Sequence, residues 1–251
     1  MDPVRTIDEV IDQLTQIVKR SRERGSCDGY FAALYRMVTI EVRQRISAGW
    51  FENGPRMERF DVIFASRYLD AWSRREAGGA AGAAWTAAFS IERAFWPVVL
   101  QHLLLGMNAH INLDLGLAAA ATAPGPQIAE LKGDFVRINQ LLADLVKGVE
   151  DRLAQVWHPL RWLDGLAGGA DEAVINFSLG AARDCAWQLA TEAAAEPDPE
   201  ALAVRADQAD KWAAVIGRRV LHPGFATSRV LNLVRLYERG SVADKLTVMG
   251  A

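Results

Sequence analysis

The stretch QHLLLGMNAHINLDL, running from Gln101 to Leu115, decides the fold. Leucines and other apolar residues surround it on every side, and a helix that is apolar all round belongs in an interior. A four-residue step turns about 40° around a helix and rises about 6 Å. His102, Gly106, His110 and Asp114 therefore drift along one stripe, while Gln101, Asn108 and Asn112 fall on roughly the opposite side. An unpaired buried amide or imidazole costs about 1–3 kcal/mol, so these polar groups need partners. Gly106 among them lets another backbone or a ligand come close.

Helical spacing continues outward from this central helix, which is drawn over 97–120. Ile7, Val10, Ile11, Leu14, Ile17 and Val18 recur at steps of three and four and predict a helix near 3–24. Further helices are expected over 30–46, 55–76, 85–95, 128–156 and 171–195. Asn53-Gly54-Pro55 opens the third, Thr122 to Pro126 ends the central one, and His158-Pro159 closes the next. Two more helices split at His222-Pro223-Gly224. No stretch alternates with a strand period. The expected fold class is all-α: a single helical domain of about eight helices over 1–251, with a flexible connector at 78–84 around Gly78–Gly82.

Composition narrows the function classes. Of 251 residues, 51% are apolar and 24% charged, and the net charge is -3 without a basic block. Nucleic acid and membrane are therefore not the expected partners. Cys27 and Cys185 make no disulfide framework and no metal cluster, and the start of the chain does not read as a signal peptide, which points to the cytoplasm. No phosphate loop, dinucleotide fingerprint, zinc-protease motif or nucleophile elbow is present. The residues three before the four histidines are Val99, Met107, Gln155 and Arg219, which removes a carboxylate di-iron site.

The pair His110/Asp114 suits two chemistries, a metal pair or an oriented general base, and a purely structural hydrogen bond is the competing reading. Asp114 and Asp134 lie ten residues on either side of Pro124. In a short antiparallel hairpin they would sit at one height, with Ile138 and Asn139 near His110. His102 is about 12 Å further along the axis, too far to share a metal with His110. Glu58, Asp61, Tyr68 and Trp72 share one face of the third helix, where Arg67 and Asp70 read as a surface pair. Asn176, Arg183 and Trp187 share a side of the 171–195 helix. Gathered acids repel unless a cation compensates them, so Arg183 is expected to contact a site carboxylate, with stacking on Trp187 the blander alternative. His158 and His222 read as caps or surface residues.

The segments RMERFDVIFASRYLDA, LQHLLLGMNAHINLDLGLAAA, DFVRINQLL and FSLGAARDCAW, in this order, resemble an uncharacterised bacterial all-helical family of unknown function, DUF5995. The likeness covers about Tyr30 to Ala190 and implies an α-helical fold and no activity. Its matched polar positions are Asp61, Arg67, Asp70, His102, Asn108, His110, Asn112, Asp114, Asp134, Asn139 and Arg183. A fainter likeness to zinc-dependent helical phospholipases and nucleases lacks their further His, since Leu115 to Thr122 holds none.

The expected function is a small-molecule enzyme with a buried pocket and acid–base or metal-assisted chemistry. His110, Asp114, Asp134, His102 and Arg183 are its candidate catalytic residues. Asp61, Tyr68, Asn108, Asn112, Asn139 and Trp187 are candidate substrate contacts. A divalent metal, if one is used, would take His110, Asp114 and Asp134. The alternative is a non-catalytic ligand-binding or scaffold protein whose buried polar network is structural.

Overall fold

In the computed structural model, which describes residues 2–156 and 179–250, the described residues form ten helices and no strand. Helix α1 spans Ile7–Arg24. Thr6 caps it with a reciprocal capping box to Glu9, and Gly25 ends it in a left-handed conformation. The stripe from Ile7 to Val18 is its buried face. Helix α2 (Asp28–Ser47) and α3 (Gly54–Glu76) follow, the latter capped by Asn53 with Pro55 in its first turn. Helix α4 is shorter than expected, Ala83–Phe89. Its first two backbone N–H groups are capped by the Asp210 carboxylate from a distant helix.

The central helix α5 runs Val99–Thr122 and is almost wholly buried, its middle turn His110–Leu115 being a π-helix. It is long and apolar enough to cross a membrane, with mean hydropathy 1.2 over its best window, but 94% of that window is packed inside the fold. Helices α6 (Ile128–Val156), α7 (Leu179–Ala195), α8 (Pro199–Leu221), α9 (Phe225–Tyr237) and α10 (Val242–Val248) complete the described elements. The expected break at His222-Pro223-Gly224 separates α8 from α9. Helix α10, opened by a Ser241–Asp244 capping box, has no counterpart in the sequence reading. The expected closing turn at His158-Pro159, the opening of the 171–195 helix, and Asn176 lie outside the described residues.

One apolar core takes in residues from Ile7 to Met249, with α5 inside it. The first half of α5 packs on α2, α4 and α8, and its second half on α3 and α7. Gly116 permits the α7 contact: a Cβ there would stand 2.6 Å from the Ala186 carbonyl oxygen. This corrects the expected hairpin. The long partner of the C-terminal half of α5 is α7, and α6 touches α5 only lightly while packing on α2 and α7.

Candidate functional site

Four helices bring an aromatic box around His110. Its ring lies flat on Phe64 of α3, with centroids 3.6 Å apart and planes 8° from parallel. Tyr35 and Phe31 of α2 meet it edge-on at 4.5 and 5.7 Å, and Trp85 of α4 stands at 6.0 Å. The π turn places His110 and Asp114 on the same side of α5, and π turns recur at functional sites. His110 Nδ1 lies 3.2 Å from Asp114 Oδ2. The same oxygen accepts the Trp85 indole N–H at 2.9 Å, and Oδ1 accepts from Arg67 Nε at 3.0 Å. Asp114 is thus a fully engaged carboxylate.

Burial holds the His110 imidazole below its usual pKa, against the opposing pull of Asp114. The ring is neutral at pH 7. A carboxylate can only accept, so the proton sits on Nδ1 and the Nε2 lone pair is left open. No described residue gives Nε2 a hydrogen bond.

Two voids flank this pair. The outer one is a cleft of about 290 Å³ with Asp114 and Trp85 in its floor and Arg67, Arg74, Asp70 and Asp207 around it. The inner one, about 40 Å³, is walled by Tyr35, Phe64, Met107, His110, Leu142 and Arg183, among others.

The other sequence-marked residues separate into groups. Asp134 belongs elsewhere: it accepts from the Glu52 and Asn53 backbone N–H groups, from Arg56 Nη2 at 3.0 Å and from Arg137. Its partner Arg56 and Arg67, the partner of Asp114, stand eleven residues apart on α3, about 16 Å along the axis. The expected meeting of Asp114 with Asp134 therefore fails. The metal set of His110, Asp114 and Asp134 fails with it, and among the described residues no three metal-ligating side chains gather. Arg67 is the cation of Asp114 and Arg56 that of Asp134, roles the sequence reading gave to Arg183. Arg183 instead lines the inner cavity. Arg67 also leaves the expected surface pair with Asp70, because a buried carboxylate attracts it more than an exposed one does.

Asn108 ties α5 to α8, and Asn112 braces it from the next turn of α5. Asn112 Nδ2 donates to Asn108 Oδ1, and Asn108 Nδ2 donates to the Ala213 carbonyl of α8. Gln101 bonds the Val220 carbonyl in the same way. Trp187 packs on Phe135 and under Lys132, away from His110. His102 occupies a separate void with Cys27, Asp28 and Gly106, edge-on to Tyr30. Burial lowers its pKa to about 3, and its Nε2 accepts no hydrogen bond from a described residue. His222 is an exposed C-cap residue of α8.

Asp61, Tyr68 and Asn139 are buried, and Asp61 Oδ2, the Tyr68 hydroxyl and Asn139 Oδ1 each lack a described partner. The sequence reading missed Tyr35, Phe64 and Trp85, whose only signal was their aromaticity at buried helical positions. No curated protein and no solved structure matches the chain. A match across residues 7–223 shows that the chain belongs to DUF5995, a family of unknown function.

Proposed function

We propose that the protein is an acid–base enzyme that moves a proton on a small molecule, with His110 as the base. The observation that supports it is the state of His110: a neutral ring, Nδ1 held by Asp114, and Nε2 with no donor among the described residues, beside a cavity. An imidazole serves as a general base when one nitrogen is oriented and the other is free to take a proton. Asp114 orients the ring and stabilises the imidazolium that forms. Arg67 and Trp85 fix Asp114 in turn. A water-poor wall strengthens these interactions in the transition state. The inner cavity has room for a few waters, and Met107 in its wall is a side chain that adapts to larger occupants.

The opposite side of α5 favours the second reading, a structural network, for its own residues. Gln101 and Asn108 spend their amide N–H groups on α8, and Asn112 donates to Asn108 within α5. His110 Nε2 is a group that this reading leaves without a task.

Nitrogen-15 NMR at pH 7 should show His110 neutral with its proton on Nδ1. Small carbon acids incubated in D₂O should exchange protons, and His110→Gln should slow that exchange by about 10²- to 10⁴-fold. A proton on Nε2, or exchange undiminished in the variant, overturns the proposal.

A further inference from the structure

Among the described residues nine large apolar side chains stand exposed, and six of them fall in two short segments: Phe95 and Trp96 before α5, and Phe225, Leu233, Leu236 and Tyr237 on α9. The fold joins the two segments. The Arg235 guanidinium of α9 donates to the Phe95 carbonyl and lies 4.6 Å over the Phe95 ring, which meets Trp96 edge-on at 5.3 Å. Beneath them Leu231 and Val234 pack with Val98. Thr227, Leu231, Val234 and Glu238, at steps of four, three and four, are the buried side of α9. Phe225, Arg229, Leu233 and Leu236, at steps of four, four and three, run along the opposite side and are exposed. The helix is thus apolar on two sides, and the fold covers one of them.

Area and charge narrow what could cover the other. The four aromatic side chains are between 53% and 75% exposed. At about 150–250 Å² each, they leave on the order of 500 Å² bare before the two leucines are added. The largest apolar patch of a monomer is about 300–600 Å² and is often functional. The exposed charges of these segments have one sign. Arg93, Arg229 and Arg239 reach solvent, with Arg229 4.2 Å over the Phe225 ring. The acids of the same segments are matched from elsewhere in the fold: Glu92 by Arg75, and the buried Glu238 by Lys245. The net charge of -3 therefore conceals a local positive surplus. A second copy laid on this face would set arginines against arginines, whereas an anionic surface complements them.

We infer that the outer side of α9, with Phe95 and Trp96, docks the protein on an anionic lipid bilayer surface. The inference is separate from the proton-transfer reading and goes beyond it. Helices that lie in a membrane interface carry Trp, Phe and Leu on one side, with arginines set along it. Trp and Tyr favour the headgroup level, where an apolar ring body and a polar edge are both satisfied. The planar guanidinium groups of Arg93, Arg229 and Arg239 suit lipid phosphates, which accept paired hydrogen bonds from them. At 13 residues α9 is too short to cross a bilayer, so it lies on the surface. Docking requires no rearrangement of the helix, because Leu231 and Val234 already hold its inner side.

The test is co-sedimentation of the full chain at pH 7 with two kinds of vesicle, an equal mixture of phosphatidylcholine and phosphatidylglycerol, and phosphatidylcholine alone. Binding to the mixture should be tighter by at least about tenfold, since each arginine near an anionic surface is worth about fivefold. Arg229→Gln with Arg239→Gln should remove most of that preference. Leu236→Ser and Trp96→Ser should each weaken binding to the mixture by about tenfold, the scale of one large side chain losing its apolar cover. All four positions are exposed, so the variants should fold, as circular dichroism can verify. Val204→Ser, at a similarly exposed position about 25 Å along α8 from its junction with α9, should bind as wild type does. No sedimentation with the mixture, equal binding to both kinds of vesicle, or patch variants that bind like wild type would overturn the inference. Sedimentation velocity without lipid adds the last arm. A dimer that Leu236→Ser and Trp96→Ser dissociate would assign this face to a second copy and overturn the inference as well.

Discussion

Asp134 on α6 and Asp61 on α3 expose 0% and 1% of their surfaces, yet their surroundings are opposite. Asp134 accepts from two backbone N–H groups and two arginines, and so ties the turn before α3 to α6. Asp61 has no described partner. Asp114 lies between these extremes, with three donors on one side and a cleft on the other. A buried acid with all its bonds made is part of the framework. A buried acid left without them is a cost to the fold, and such costs gather where a ligand would relieve them.

The sharpest way to break this contrast is Asp134→Ala. It removes all four bonds and leaves Arg56, itself buried, without its main anion. Stability should fall by about 3–5 kcal/mol, read from urea unfolding. Glu130 stands 3.6 Å from Arg56 but is mostly exposed, so it offers little compensation. A loss below about 1 kcal/mol would mean that Asp134 is no more a framework residue than Asp61.

Asp61→Asn should move stability the other way. In the folded chain this acid keeps its proton to about pH 8, whereas the unfolded chain releases it near the ordinary value of 3.8. Between those limits the folded state binds more protons, so wild-type stability falls as pH rises from about 4 to about 8. Asn has no proton to lose and escapes that slope. At pH 7 the variant should be more stable than wild type by about 2–4 kcal/mol, and below pH 4 the difference should vanish. Unfolding curves at both pH values decide it. An equal loss at both would put Asp61 in the same class as Asp134.

Gly106→Ala loads the Asp61 side of the comparison alone. A Cβ there would stand 2.4 Å from the Phe31 ring. Phe31 lines both the inner cavity and the void beside His102, so it has somewhere to go. The cost should stay near 1–3 kcal/mol, and the Phe31 ring should move into one of the two voids, shifting the ring signals of His110 and Tyr35. Amide NMR shifts around Asp134 should not move. Shifts at Glu52 and Asn53 as large as those at Phe31 would show that the two regions are one mechanical unit.

The same contrast explains what the sequence made readable. The stripe from Ile7 to Val18, the caps at Thr6 and Asn53, and the buried helix around His110 all follow from local spacing, which a helix converts directly into faces. The His110–Asp114 bond was legible for that reason. Pairing across the chain was not. Counting ten residues either side of Pro124 put Asp114 beside Asp134, but Gly116 lets α7 dock where α6 was expected. Arg67 paired by spacing with Asp70 and in the fold with Asp114, because desolvation, which spacing cannot register, decides between them. Trp85 sits on a seven-residue helix whose place depends on Asp210 of α8. The π turn has no period of its own in the sequence.

The smallest expected effect is that of Trp85→Phe, which tests the intermediate standing of Asp114. The ring stays, so the stacking with Phe89 at 5.5 Å and the contact with Tyr68 at 4.9 Å persist. Only the indole N–H to Oδ2 is lost. Asp114 lines a cleft, and water entering there can take up the vacated lone pair. The cost should therefore be about 1 kcal/mol, an ordinary single hydrogen bond, and well short of the Asp134→Ala loss. The change should also reach His110. A mobile water is a weaker rival for Oδ2 than the fixed indole N–H, so the bond from the imidazole at 3.2 Å should tighten, and the charged ring gains support. The His110 titration should move up toward the ordinary value of 6.5 from its lowered position. Nitrogen-15 shifts followed against pH read this directly. A His110 titration that does not move, with a stability loss matching Asp134→Ala, would place Asp114 in the framework and remove it from the site.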